Sequence, residues 1–160
     1  MLNHLENLVK QFYEWRGYIV SNNVKVGKLK HGGWEMELDI VAYDPKTLTL
    51  VQIEPSTDAH SWSTREARFR KKFEAGRKYI CKDVFPWVQP NTAIEQIAVL
   101  ISSGRRELAG GKVITIDELM KTIRDEIAQV GIMGKHAIPE HFDLLRTIQL
   151  VVRGYYKVIT

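Results

Sequence analysis

The order of periodicities along the chain predicts an α/β fold: a mixed central sheet flanked by helices, core order αβββαβ, with extra helices at the C-terminal end. Three observations carry this reading. Residues 3–16 place apolar side chains at helical spacing, and residues 35–54 alternate with the period of two that paired strands require. Ile97-Ala98-Val99-Leu100-Ile101 is a continuous apolar run, as expected of a strand buried on both faces.

The first helix puts Leu2, Leu5, Leu8, Val9 and Phe12 on one stripe; Asn3 starts it and Gly17 stops it. Glu6 lies at the edge of that stripe. Three residues after Asn3 it suits a capping box, and an acid in the first turn suits the helix dipole; a role in an active site is the equal alternative. Tyr18 to Val26 reads as a strand. The loop from Gly27 to Gly33 is glycine-rich and basic, either a polar connector or a phosphate contact through Lys28 and Lys30.

Two segments, Glu35 to Tyr43 and Thr47 to Glu54, are joined by Asp44-Pro45-Lys46 and read as a hairpin. Alternation puts Met36, Leu38, Ile40 and Ala42 on one side with Thr49, Val51 and Ile53. Glu37 and Asp39 fall opposite, with Gln52 and Glu54. A turn pairing Tyr43 with Leu48 sets Asp39 across from Gln52 and Glu37 across from Glu54, so that four oxygen-bearing side chains converge. Pro45 suits a type I rather than a primed hairpin turn, and a slip of one residue would separate the carboxylates. Like charges opposed in a sheet repel, and a cation relieves the repulsion; Mg2+ needs only one or two protein carboxylates beside waters and substrate phosphates. The other reading is the solvated face of an ordinary hairpin. Val41 and Leu50 argue for a covered face, because they share the acidic side nearer the turn.

After a loop over Pro55 to His60, Ser61 or Ser63 caps a long helix to about Tyr79 or Ile80. Its apolar stripe is thin: Trp62, Phe69, Phe73, Gly76 and Ile80. Arg65, Arg68 and Lys72 line one flank, with Arg70 and Arg77 on the other. From Arg65 to Lys82 only Glu66 and Glu74 oppose Arg65, Arg68, Arg70, Lys71, Lys72, Arg77, Lys78 and Lys82. Such a run either solvates a helix or grips phosphates. Its place directly after the acidic strand favours phosphate contact. Pro86 to Pro90 forms a turn-rich loop before the apolar strand, about residues 95–102. A short strand, Lys112 to Ile116, leads into a helix from Asp117 to about Val130 with Leu119, Ile123 and Ile127 inward and Gly131 at its end. Pro139 opens a last helix through Arg153, closed by Gly154, with Arg146, Gln149 and Arg153 on one exposed face.

At 160 residues the chain has the size of one domain: a core over about 3–102 and a C-terminal strand and helices over about 112–160. Hydrophobic residues at 44% and charged residues at 26% are close to globular averages, and no apolar run approaches the ~20 residues of a membrane span. Glu6 and Lys10 interrupt any apolar leader, so a soluble cytoplasmic protein is expected. Cys81 is the only cysteine, which excludes disulfide frameworks and thiolate zinc sites and leaves a buried structural thiol. His4, His31, His60, His136 and His141 are scattered, and the five-residue spacing of the last two does not share a helix face. There is no glycine-rich phosphate loop and no serine-centred elbow. A net charge of +4 and a pI near 9.2 favour an anionic partner.

The order αβββαβ, with Asp39 on the second strand and Gln52-Ile53-Glu54 after the hairpin, resembles the PD-(D/E)XK nuclease superfamily, the restriction-endonuclease-like fold. Gln52 resembles the Gln of Mrr-like members, and Glu6 looks like the additional acid of Holliday junction resolvase-like members. Leu38 replaces the Pro before the Asp, and Glu54 stands where the family motif has Lys. The resemblance implies a metal-dependent DNA endonuclease, a phosphodiester hydrolase with catalytic residues Glu6, Asp39, Gln52 and Glu54. Asp39 and Glu54 would hold Mg2+ or Mn2+, Gln52 would supply a carbonyl oxygen or position water, and Lys28, Lys30, Arg65, Arg68 and Lys72 would contact DNA. Members often pair two sites in a homodimer. The substitution at Glu54 equally fits an inactive nuclease-fold module kept for nucleic-acid binding or protein assembly.

Overall fold

The computed structural model describes residues 3–131, 135 and 137–153. One mixed six-stranded sheet runs through it, flanked by helices, with its strands in the spatial order 19–28, 34–44, 49–56, 94–100, 111–115 and 107–108. α1 (His4–Trp15) precedes the antiparallel strands β1 (Ile19–Lys28), β2 (Trp34–Asp44) and β3 (Thr49–Ser56). α2 (Trp62–Tyr79) then crosses over to β4 (Ile94–Leu100), which lies parallel to β3. The order αβββαβ expected from periodicity is therefore present, and β5 (Glu107–Leu108), β6 (Gly111–Thr115), α3 (Ile116–Ile127) and α4 (Asp143–Val152) follow.

Local chemistry accounts for the ends of these elements. Asn3 and Glu6 form the reciprocal capping box of α1, Thr115 and Glu118 that of α3, and the Ser61 side chain accepts from the Thr64 N–H at the start of α2. Gly17, with φ of 91°, takes the left-handed conformation that ends α1. Between β5 and β6, Ala109 and Gly110 have φ of 51° and 79°, the requirement of a two-residue primed turn. That hairpin is too short to leave a periodicity in the sequence. α2 passes into a five-residue π-helical turn, Ile80–Val84.

The core has two sides. On one, Leu5, Leu8, Val9 and Phe12 of α1 meet Ile40, Ala42, Val51, Ile53, Ile97 and Val99 of the sheet, joined by Leu119, Ile123, Ile127 and Leu145. On the other, α2 and its π-turn cover Val41, Tyr43 and Leu50, while Phe69 and Phe73 pack on Ala98, Leu100, Leu108 and Val113. Val41 and Leu50 thus mark a covered face, as their apolar character implied. Met36 and Leu38 do not stay with Ile40; they join the cluster under α2 with Val24 and Val26. Asn23, with φ of 48°, stands opposite this change of side.

Several expectations are corrected. The hairpin register is shifted by two: Tyr43 faces Leu50 and Asp44 faces Thr49, leaving Pro45 to Leu48 as the connection. Asp44 shapes it by accepting from the Lys46 N–H (2.9 Å) and the Thr47 hydroxyl (2.7 Å), and Leu48 closes it at φ of 56°. A shift of two preserves faces but changes partners. Pro55 and Ser56 belong to β3 rather than to a loop. Gln149 is fully buried, not exposed, and donates to the carbonyls of Val130 and Gly131. α3 ends at Ile127 and α4 begins at Asp143. Leu2, His136 and Gly154 lie outside the described residues. Among the described residues no helix is long and apolar enough to cross a membrane.

Candidate active site

β2 and β3 stop pairing after Ile40 and Ile53, whereas β3 continues beside β4 through Ser56. The end of β3 therefore has a ladder on one side only. Pro55, which has no N–H to donate, occupies this one-sided stretch without loss. Asp39 and Glu54 sit at the parting point, one residue beyond the last pair. The Asp39 N–H turns to the Glu54 carboxylate, at 3.4 Å from each oxygen.

The two acids are bridged from α2. Lys72 Nζ lies 2.6 Å from Asp39 Oδ1 and 2.5 Å from Glu54 Oε2. Glu54 is 1% exposed, and the side chains of Asp39 and Lys72 are each 15% exposed, so the cluster is buried at Glu54 and reaches solvent only slightly at Asp39 and Lys72. Burial raises the Glu54 pKa above the ordinary carboxylate range; the Lys72 charge opposes that rise and Asp39 adds to it. Burial also works against the charge on Lys72, yet the carboxylates of Glu54 and Asp39 hold its pKa above the ordinary value.

Gln52, fully buried, orients the floor. Its Nε2 donates to Glu54 Oε1 (2.8 Å) and to the Lys72 carbonyl (3.1 Å), and its Oε1 accepts from Gln96 Nε2 (2.7 Å). Gln96 also donates to the Phe73 carbonyl (2.8 Å) and accepts from Arg77 (2.6 Å). Two amides thus join β3, β4 and α2, and every polar atom of Gln52 is engaged. Its carbonyl oxygen is directed at Gln96, so the expected carbonyl donor for a metal becomes a support for Glu54. Gly76 makes room for it: a Cβ there would lie 1.8 Å from Gln52 Oε1.

The remaining predicted residues take other places. Glu6 bonds Asn3 and, at 3.3 Å, Asn23 of β1, and makes no hydrogen bond or ion pair to Asp39, Glu54 or Lys72. It serves as the helix cap. Glu37 is exposed and faces Lys25 of β1 instead of Glu54. Arg65 and Arg68 converge on Asp58 at 3.3 and 2.7 Å, and Arg68 also donates to the Ser56 hydroxyl at 2.9 Å. For Asp58, burial acts to raise the pKa, but the Ser56 hydroxyl, the His60 N–H and the two arginines outweigh it and hold the carboxyl at about 2. Lys28 ends β1, and Lys30 is exposed in the following loop.

Sequence reasoning placed Lys72 among phosphate-binding residues and did not place it between the carboxylates. A signal was available: Lys72 lies three residues after Phe69 and four before Gly76, on the edge of the stripe that faces the sheet. Among the described residues no group of three or more His, Cys, Asp or Glu side chains is arranged to hold a metal. Asp39 and Glu54 nevertheless provide two hard oxygen donors beside one another, enough for Mg2+ or Mn2+ that keeps water and phosphate ligands. No family model, no curated protein and no solved structure matches this chain.

Proposed function

We propose that the chain is a metal-dependent nuclease that hydrolyses DNA phosphodiesters, with Asp39 and Glu54 as the metal-binding acids and Lys72 as the missing cation of the motif. The observation that carries this reading is the Lys72 ammonium within 2.6 Å of both carboxylates at the point where β2 and β3 part. With Asp39 opposite Glu54, the acid of the motif is Glu54 and the position two residues on is Ser56. The Lys absent from β3 is supplied by α2. It comes from 18 residues beyond Glu54 to lie between the two acids.

A divalent ion held there supplies Lewis-acid stabilisation of the phosphate and a more acidic water. Lys72 places positive charge where negative charge develops on the phosphate oxygens, a task a carboxylate cannot perform. Gln52 fixes the Glu54 carboxylate through its 2.8 Å hydrogen bond, and Gly76 and Gln96 fix Gln52. Exposed basic residues on α2 are suited to the neighbouring phosphates.

One observation favours the inactive module instead: the Lys72 ammonium already bridges the two acids, and among the described residues no third acid joins them. Cleavage of plasmid and branched DNA with Mn2+ separates the two readings. The wild type is expected to cut, and Asp39→Asn and Lys72→Met to lose at least 100-fold, the scale of removing a group that stabilises the transition state. Equal products from wild type and Asp39→Asn would overturn the nuclease reading.

A further inference from the structure

A second cleft, of about 460 Å³, lies beyond the C-terminal end of α2 and is lined by Lys25, Gly27, Lys28, Trp34, Tyr79, Lys82 and Asp83. Its floor is closely built. Gly27, with φ of 69°, lets the Tyr79 ring approach so near that a Cβ would meet it at 2.8 Å, and the Gly27 N–H is taken by Asp83 at 2.9 Å. Lys25, Lys28 and Lys82 surround Asp83, which is engaged by the Gly27 N–H; of the acids nearby, Glu35 is taken by the Tyr79 hydroxyl and Lys78, and Glu37 stands across the strand pair from Lys25. Lys28 faces Trp34 across the strand pair, and Trp34 is 45% exposed.

Trp34 is unlike the other three tryptophans. Trp15 packs against Phe12, Trp62 receives Arg65 and Arg105, and Trp87 meets Tyr43 edge-on and Phe85 at a tilt. Trp34 has no aromatic or cationic ring partner among the described residues. An open indole beside a group of ammonium ions combines the two things an unpaired nucleotide offers contacts for: a flat base to stack and a phosphate to neutralise. A duplex keeps its bases stacked on each other and presents only its phosphates.

We infer that this cleft is a subsite for a single-stranded stretch of nucleic acid, with one base stacked on Trp34 and the adjoining phosphates held by Lys25, Lys28 and Lys82. The inference rests on the nuclease reading for its substrate class and narrows it to DNA with an unpaired segment. α2 links the two places: Tyr79 is seven residues from Lys72, about 10 Å along the helix axis, so one extended strand can span both. Lys82 and Asp83 come from the π-helical turn that prolongs α2 toward β1.

The test is binding of a fluorescein-labelled dT12 oligonucleotide and of a blunt 12-base-pair duplex by full-length Asp39→Asn protein in EDTA, followed by anisotropy. The single strand is expected to bind more tightly than the duplex. Trp34→Ala should weaken it roughly 10-fold, within the range seen for one stacked base, and Trp34→Phe should restore part of that loss. Replacing Lys25, Lys28 and Lys82 with Gln should lower the salt slope of log K by about 2, at about 0.7 per phosphate contact on a single strand. Far-ultraviolet circular dichroism confirms that each variant is folded. Unchanged dT12 affinity in Trp34→Ala, or duplex binding equal to or tighter than dT12 binding, would overturn the subsite. Failure of cleavage with the Trp34 effect intact would remove the nuclease and leave the strand-binding cleft standing.

Discussion

Lys72→Met is the most informative single change at the carboxylate cluster, because it keeps the aliphatic stem and removes the ammonium that bridges Asp39 and Glu54. Removing one partner of a buried ion pair costs about 3–5 kcal/mol. The 15% exposure of Asp39 and Lys72 places this site at the lower end, about 3 kcal/mol near pH 7.5. For a domain of this size that corresponds to a fall in Tm of roughly 6–12 °C. The loss should depend on pH, and its sign follows from the buried acid. Folded Glu54 already has a pKa above its ordinary 4.5, so the native state binds more protons than the unfolded chain as pH rises from that value. Stability therefore falls with rising pH across that window, by at most about 1.4 kcal/mol per unit. Without Lys72 the folded pKa rises further and the window widens upward. Wild-type Glu54 keeps its proton up to about 8, so the part of the penalty that Glu54 carries appears above that pH, where only the wild type ionises it against Lys72; the variant should lose roughly a further 1–2 kcal/mol between pH 7.5 and pH 9.5. Urea unfolding at both pH values, without divalent ions, measures this. The double variant Lys72→Met/Glu54→Gln should recover most of the difference. A penalty that is absent, or the same at both pH values, would refute the assignment of a buried Glu54 charge held by Lys72.

Two further predictions concern Gly76, which makes room for Gln52, and Asp58, which gathers Arg65 and Arg68. Gly76→Ala drives a methyl group into Gln52 Oε1, where 1.8 Å is available, and should destabilise the fold by about 2 kcal/mol through a disrupted buried amide pair; denaturant midpoints report it. A normal midpoint would mean that Gln52 is not held as described. Asp58→Asn removes a carboxyl held at about 2, so its stabilisation exists above the ordinary 3.8 and disappears as pH falls through 2. The variant should be less stable than wild type by roughly 1–2 kcal/mol at pH 7, and the difference should shrink to about 0.4 kcal/mol at pH 2, where the wild-type carboxyl is half protonated, as thermal unfolding across that range would show.

What could be read in advance follows from which patterns survive errors of register. The two-residue alternation put Asp39, Gln52 and Glu54 on one covered face, and that held although the pairing moved by two. The partners did not hold, because the length of the connection depends on Leu48 at φ of 56°, a conformation that a leucine does not advertise. Glu54, not Gln52, consequently opposes Asp39, and Glu37 leaves the group. Lys72 was hidden for a different reason: among eight basic residues on and beyond one helix, composition does not tell which one turns toward buried acids. Only the packing of Phe69, Phe73 and Gly76 against the sheet selects it. Helix starts at Asn3 and Ser61 were legible because caps are local hydrogen-bond chemistry. The burial of Gln149 was not, since its acceptors lie at the end of another helix.

The ten-residue β1 forms one border of the sheet, while the opposite border, β5, is only two residues long. A long border offers unpaired amides to any incoming chain and invites fibril-like addition. Asn23 interrupts this template: its left-handed backbone breaks the regular spacing of donors and acceptors midway, and Lys25 and Lys28 add charge to the far half. The border strand is thereby broken into two short halves, neither of which offers an incoming chain a long regular template.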